Sequence, residues 1–507
     1  MAWSFSPSSL CRLLFLVLSL ASQSCNGLRT FGFDIHHRYS DPVKGILGIE
    51  ELPEKGSREY YVAMSHRDRI FRGRGLAGSD GTPLTFAGGN ETYRLSSFGY
   101  LHYANVTVGT PALSFLVALD TGSDLFWLPC NCNSSTCVQS LQTSNGQSIK
   151  LNIYGPSASS TSKNVFCNST LCQQQNQCPS SSSNCPYEIL YLSNGTSSAG
   201  ILVEDVLHLI TDDNQTKEAD TRITFGCGQV QTGSFLSGAA PNGLFGLGMD
   251  SISVPSILAK QGLTSNSFSM CFGSDGLGRI RFGDNGSSDQ LKTSFNLKTS
   301  QPTYNVSITQ IVVGGNAADL EFNAIFDSGT SFTYLNDPAY TQITTSFNTM
   351  IKENRSNSEY QGLPFEFCYD LSANQTNFEV PLLNLTMKGG DNYNVNDPIL
   401  LLSNGNEAVG YCLGIVKSDD VNIIGQNFMT GYNIVFDRDN MILGWKDSDC
   451  NGDELSNSNA SPTNGSHTPP ALAANPEDTS NKSNDSFKTN PFTFTFIMVL
   501  FLLLAIV

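Results

Sequence analysis

Two aspartates carry the chemistry open to this sequence. Asp120 begins Asp120-Thr121-Gly122, and Asp327 begins Asp327-Ser328-Gly329, 207 residues further on. Each triplet follows an apolar run, residues 114–119 and 324–326. Each is followed by a hydroxyl three residues past the aspartate, Ser123 and Thr330. Downstream, Leu244-Phe245-Gly246 in the first half is answered by Ile423-Ile424-Gly425 in the second. A lone Asp-Thr-Gly is only a turn sequence; a pair in matching surroundings is a specific signal. Two related half-chains that each supply a carboxylate can activate one water. Carboxylates about 3 Å apart cannot both ionise cheaply, so they share a proton and titrate as a pair. The ionised member takes a proton from water while the protonated one hydrogen-bonds a peptide carbonyl. Water then adds directly, giving a tetrahedral diol with no covalent enzyme intermediate. The expected pH–rate profile is bell-shaped and acidic. The nucleophile being water, no cofactor and no metal ion is called for.

The surrounding residues suit that task. Gly122 and Gly329 allow tight backbone approach and unusual dihedrals at the two loops. The hydroxyls of Thr121 and Ser328 can cross-bond the loops if these face each other. Ser123 and Thr330 are placed to hydrogen-bond the outer carboxylate oxygens. Asp124 reads as a structural hydrogen-bonding residue without a chemical role.

The elements that must position these loops read as strands. Charged residues make up only 14% of 507. Short β-branched or aromatic runs at 102–108, 114–119, 188–192, 201–210 and 222–225 are separated by Gly, Asn, Ser and Pro. Runs at 304–313, 323–326, 433–436 and 441–445 repeat the pattern. Segments 255–260 and 338–350 read as helices, each with proline in its first turn. The expected fold is all-β and bilobal, with lobes at 93–283 and 303–450 and a polar connection at 284–302. A Ser/Gln/Asn-rich insertion, 130–185, holds seven cysteines. It is too polar to fold by burial and should be stapled by disulfides.

Both ends speak to the compartment. Residues 1–27 resemble a secretory signal, with Arg12 before the apolar run 13–21. Its removal takes Cys11 and Cys25 and leaves twelve cysteines, an even number suited to an oxidising compartment. Zinc is the rival reading, on the cluster Cys130, Cys132 and Cys137. Against it, His102 and His208 are the only histidines between residues 91 and 450. Acceptor triplets for N-glycans recur, for example at Asn105, Asn168, Asn194, Asn305 and Asn384. Residues 28–92 read as a pro-segment; 28–90 hold nine Lys/Arg against eight Asp/Glu, while 91–507 hold 18 basic and 37 acidic side chains, a balance of −19. A basic cover would hold an acidic cleft while carboxylates are ionised and release it as pH falls. So acidic a body repels phosphate, which argues against nucleic acid as a partner. Residues 451–490 are polar and read as a flexible stalk. The apolar end, 491–507, resembles a glycolipid-anchor signal, with a short transmembrane tail as the alternative.

At this point the chain resembles a pepsin-type aspartic protease of the plant nepenthesin-like group. The likeness rests on Asp120-Thr-Gly-Ser-Asp-Leu-Phe-Trp-Leu-Pro-Cys130, Phe326-Asp-Ser-Gly-Thr-Ser331, Leu244-Phe-Gly-Leu-Gly248 and Asn422-Ile-Ile-Gly425. It spans about residues 100–450, and implies Asp120 and Asp327 as the dyad with Thr121, Gly122, Ser123, Ser328, Gly329 and Thr330 in support. It also implies that Trp127 supports a tyrosine on a flap hairpin, here within residues 188–209 with Asn194-Gly195 at the turn. Tyr191 is the flap residue and Tyr187 its competitor, because the spacing from Tyr191 to Gly200 is longer than the family pattern. The implied activity is that of a monomeric, secreted and membrane-anchored endopeptidase, acting on extended peptides or proteins at the outer face of the plasma membrane. Two other classes compete. A binding or inhibitor protein on the same fold would have lost part of the dyad, which this chain keeps. A glycosidase also uses two carboxylates, but leaves the duplicated loops unexplained.

Overall fold

Strand-forming sequence dominates the computed structural model, which describes residues 31–37, residue 61 and, with short interruptions, 102–450. These lie in one compact unit, Met1–Ser458; a second, Asn459–Val507, is outside the described residues. The signal, most of the pro-segment, the stalk, the anchor and Asn194 are likewise outside them. No helix among the described residues is long and apolar enough to cross a membrane.

The architecture is two-lobed and all-β. A 14-stranded sheet begins at Leu291–Ser294 and passes through Ile442–Asp447, Tyr432–Asp437, Ser267–Phe272, Leu277–Phe282 and Phe31–His37. It continues through His102–Val108, Leu113–Asp120, Leu244–Gly246, Trp127–Pro129, Glu218–Gln231, Thr196–Thr211 and Lys163–Asn164, with Pro186–Tyr191 paired to Thr196–Thr211. A seven-stranded sheet runs Asn392–Val395, Leu383–Met387, Asn305–Val313, Asn316–Phe326, Ile423–Ile424, Thr333–Leu335, Ile415–Lys417. Smaller sheets of three and two strands complete the set. Period-two patterning explains the strands locally: Leu383, Leu385 and Met387 are buried, while Asn384 and Thr386 are half-buried between them. The expected helices form as Val254–Lys260, with proline in its first turn, and Ala339–Met350, with Pro338 at its N-cap.

The two halves are not cut cleanly apart. The last hairpin, Tyr432–Asp437 with Ile442–Asp447, adds to Ser267–Phe272 in the large sheet. Phe268 stacks on Phe436 at 4.7 Å between ring centroids, and Tyr304 meets Phe436 edge-on at 4.6 Å. Such pairs contribute about 1 kcal/mol each beyond their burial. Residues 284–302, expected as a connection, also supply the edge strand Leu291–Ser294, which pairs with Ile442–Asp447.

All twelve described cysteines pair. The bridges are Cys130–Cys227, Cys132–Cys137, Cys167–Cys178, Cys172–Cys185, Cys271–Cys450 and Cys368–Cys412. The zinc reading of Cys130, Cys132 and Cys137 is therefore replaced by two disulfides. One expectation needs correction. The insertion does bury apolar groups: Leu151, Val165, Cys167, Cys172 and Cys185 join a cluster containing Tyr103, Trp127 and Leu244. Leu151 and Val165 are spent on that contact, Tyr154 joins the main core, and bridges hold the polar remainder.

Candidate active site

Each aspartate stands where a strand ends and a tight loop begins. Leu113–Asp120 delivers Asp120, and Asn316–Phe326 stops one residue short of Asp327. Asp120 is fully buried and Asp327 nearly so. The Gly122 N–H donates to Asp120 Oδ1 at 3.0 Å, and the Ser123 hydroxyl to Oδ2 at 2.5 Å. In the second loop the Gly329 N–H donates to Asp327 Oδ1 at 2.8 Å, and the Thr330 hydroxyl to Oδ2 at 2.8 Å. The buried carboxylates thus receive the same two donors each, as their burial demands. Gly122 and Gly329 differ from expectation: neither has positive φ, and each serves instead through its amide.

The loops are bonded to one another. Thr121 Oγ1 donates to the Phe326 carbonyl at 3.2 Å and accepts the Ser328 N–H at 2.9 Å. The Thr121 N–H donates to Ser328 Oγ at 3.3 Å. Residues 207 apart in sequence are thereby locked face to face at the junction of the halves. Thr121 and Ser328 are buried, so leaving any of these groups unpaired would cost about 1–3 kcal/mol.

Behind each loop runs a parallel strand. Leu244–Gly246 lies beside Ala118, Leu119 and Asp120, and Ile423–Ile424 beside Ile325 and Phe326. The glycine closing each strand is required by space. A Cβ on Gly246 would lie 2.2 Å from the Asp124 carbonyl oxygen, and one on Gly425 would lie 2.1 Å from that of Phe332. Further behind the first loop is a polar group that sequence reasoning did not assemble. Asp124 Oδ1 accepts the Asp250 N–H at 2.8 Å. Arg438, from the last hairpin, donates to the Met249 carbonyl at 3.0 Å and to the hydroxyls of Ser253 and Ser256. The Tyr304 hydroxyl donates to the Leu247 carbonyl at 2.6 Å. Burial pushes the Asp124 carboxyl up to about 6; the Asp250 amide and Arg438 oppose the rise, while Asp250 and Asp120 add to it. Arg438 and Tyr304 carried no readable signal, because their partners are backbone carbonyls and serines far away in sequence.

The hairpin expected as a flap pairs Pro186–Tyr191 with Thr196–Ile201, and Gly195 at its turn has φ +76°. Tyr191 lies opposite Thr196, and Tyr187 opposite Gly200. The Trp127 indole N–H donates to the Tyr191 hydroxyl at 3.0 Å. Both rings meet Phe235 edge-on, at 5.0 and 4.9 Å. Phe235 was not anticipated: it sits on a short 3-10 turn, Gly233–Phe235, outside any periodic run. Tyr187 instead bonds Ser198 at 2.9 Å, and its ring covers Gly226 and Gly228, where a Cβ would come within 3.0 Å of it. The tryptophan contact thus goes to Tyr191, while Tyr187 contacts Ser198 and the backbone of Gly226 and Gly228.

Known proteins share this plan. Residues 102–284 match the family described as xylanase inhibitor N-terminal, and residues 303–447 the one described as xylanase inhibitor C-terminal. Aspartyl protease family protein 1 of Arabidopsis thaliana is 54% identical over 505 residues, covering 97% of this chain and 98% of that protein. Aspartic proteinase-like protein 1 of the same plant is 39% identical over 466 residues, covering 89% and 87%. Aspartic proteinase nepenthesin-2 of Nepenthes gracilis is 24% identical, covering 82% and 92%. Among solved structures, basic 7S globulin from soybean superposes with a TM-score of 0.52 at 22% identity, covering 69% of this chain and 92% of that one; this likeness concerns the fold alone.

Proposed function

The chain belongs to the pepsin-like aspartic protease family, and we propose that it is a working endopeptidase that uses Asp120 and Asp327 in acid. One observation carries the reading: both carboxylates receive the same amide and hydroxyl donors, and Thr121 and Ser328 bind the two loops together. The donors hold the oxygens in place before substrate arrives, so little reorganisation is needed during reaction. Two adjacent carboxylates that share one proton offer a base and an acid together. The ionised carboxylate activates water, the protonated one polarises the scissile carbonyl, and the proton returns to the leaving amine as the diol collapses.

Tyr191, anchored by Trp127 and Phe235, covers bound peptide. Substrate lies extended between the lobes, about six to eight residues long, held by strand-like hydrogen bonds. The partners are peptides or proteins. The chain is monomeric, enters the secretory pathway, loses a pro-segment and is held at the outer face of the plasma membrane by its C-terminal lipid anchor. The six disulfides and the acidic composition support this location.

The experiment is digestion of an acid-denatured protein by the full chain, purified from a secreting host, at about pH 3–6 with and without pepstatin. Cleavage that pepstatin blocks, and that Asp120→Ala and Asp327→Ala each abolish, is expected. Undiminished cleavage in either variant overturns the assignment. A second reading, a silent binding protein, draws on the family descriptions that speak of xylanase inhibitors. It predicts no cleavage at any pH together with tight capture of a partner protein.

A further inference from the structure

The loop carrying Asp120 is laced to the segment behind it, rung by rung. Gly246 is in register with Asp120 on parallel strands. The Leu247 N–H donates to the Asp120 carbonyl at 2.9 Å, and the Gly248 N–H to the Ser123 carbonyl at 2.8 Å. The next rung is different in kind. It joins the Asp250 N–H to a side chain, Asp124 Oδ1, at 2.8 Å. That oxygen fills the space over Gly248, where a Cβ would lie 2.2 Å from it. The second loop has no carboxyl here: the residue four past Asp327 is Ser331.

We propose that Asp124 is a positioning residue for the protease reaction: its carboxyl clamps the Asp120 loop to residues 246–250 and so fixes the orientation of Asp120. This rests on the protease reading given above. Burial and the neighbouring acids favour the uncharged carboxyl, and the clamp persists in that form. The groups facing this carboxyl are Asp120 on its own loop, Asp250, Arg438 from the last hairpin, and Tyr304. Two of them are acidic, and burial raises the carboxyl to about 6 from an ordinary 3.8. A neutral acid still accepts the Asp250 N–H through Oδ1. Between about pH 4 and 6 the folded protein keeps a proton here that the unfolded chain has released. The stabilisation from this group is therefore complete below about 3.8 and fades as pH rises through 6.

Asp124→Asn preserves an acceptor of the same size and can never ionise, whereas Asp124→Ala removes the acceptor. With the full chain on acid-denatured serum albumin at pH 4, kcat per pepstatin-titrated site should stay within about twofold of wild type for D124N. It should fall about tenfold or more for D124A, which leaves the buried Asp250 N–H without its acceptor. KM should change little in either variant. Thermal unfolding gives a readout that needs no turnover: the midpoint of D124N relative to wild type should rise by about 2 °C or more between pH 4 and pH 7. Wild-type kcat in D124A, or a D124N offset that does not change with pH, overturns the proposal. A wild-type chain that cleaves nothing at any pH overturns the protease reading instead, and the unfolding offset then judges the clamp by itself.

Discussion

In the N-terminal half, Asp120 takes a glycine amide and a serine hydroxyl, and a strand ending in Gly246 runs behind it. In the C-terminal half, Asp327 takes a glycine amide and a threonine hydroxyl, and a strand leading into Gly425 runs behind it. Seven residues past each aspartate a large aromatic pairs with the start of that strand, Trp127 with Leu244 and Tyr334 with Ile423. From there the halves part. Trp127 reaches up to Tyr191 on a hairpin, while Tyr334 is buried in a cluster with Phe332, Phe365 and Leu402. Behind the first loop stands a carboxyl, Asp124; behind the second, the Gln426 and Asn427 amides donate to the Thr330 and Ser331 carbonyls at 2.8 and 3.1 Å. The halves are alike where the carboxylates are held and unlike in what surrounds the two loops. Under the proposed mechanism, equal treatment of the two acids suits a shared proton, and a single hairpin suffices to cover a substrate.

The largest effect should be symmetric. Asp120→Ala and Asp327→Ala should each lower kcat on denatured protein by about a thousandfold or more, and the double variant should be no worse than either, because the pair acts as a unit. A single variant far milder than its counterpart would break the equivalence of the acids. Next come the glycines that face backbone carbonyls. Gly246→Ala and Gly425→Ala should each cost about 3 kcal/mol in chemical unfolding, as overpacking against a part that cannot give. A third comparison separates the two sides of the cross-link. Thr121→Val removes the hydroxyl that serves two bonds and should cost about 2 kcal/mol; Ser328→Ala removes one longer bond and should cost about 1 kcal/mol. Equal costs would show that the lock is shared evenly. The smallest effect concerns the hairpin. Tyr191→Phe should lower kcat/KM about fivefold, the worth of one hydrogen bond of about 1 kcal/mol. Tyr187→Phe should lower unfolding stability by about the same energy and leave kcat/KM alone, since its hydroxyl bonds Ser198 within the sheet.

Much of this was readable from residues alone. The strand class, the two helices and the cross-bonding of Thr121 with Ser328 follow from local patterns that repeat, and a repeat is visible without coordinates. The donors Ser123 and Thr330 sit three residues from their acceptors, so spacing alone indicates them. What sequence could not show depends on distant meetings. Phe235 joins Trp127 and Tyr191 from a turn with no periodicity. Arg438 reaches serines more than 180 residues away. Which tyrosine meets the tryptophan depends on the register of the hairpin, which places Tyr187 over glycines and Tyr191 beside Trp127. The insertion was misjudged because composition averages over the few apolar side chains that matter. Asp124 reads from sequence as a hydrogen-bonding residue, and its bond to Asp250 agrees; its raised carboxyl comes from burial, which a list of residues does not contain.

The strand Phe31–His37 bears on how the protein would mature. It is hydrogen-bonded along one edge to Leu277–Phe282 and along the other to His102–Val108, with Phe31 and Gly32 also paired to Thr211 and Ile210. A cut anywhere in 38–101 severs the covalent link and leaves this ribbon zipped in place between two neighbours. Loss of this strand would leave Leu277–Phe282 and His102–Val108 with unpaired edges facing each other. A freshly nicked molecule should travel as a two-chain species in native separation and come apart only in denaturant.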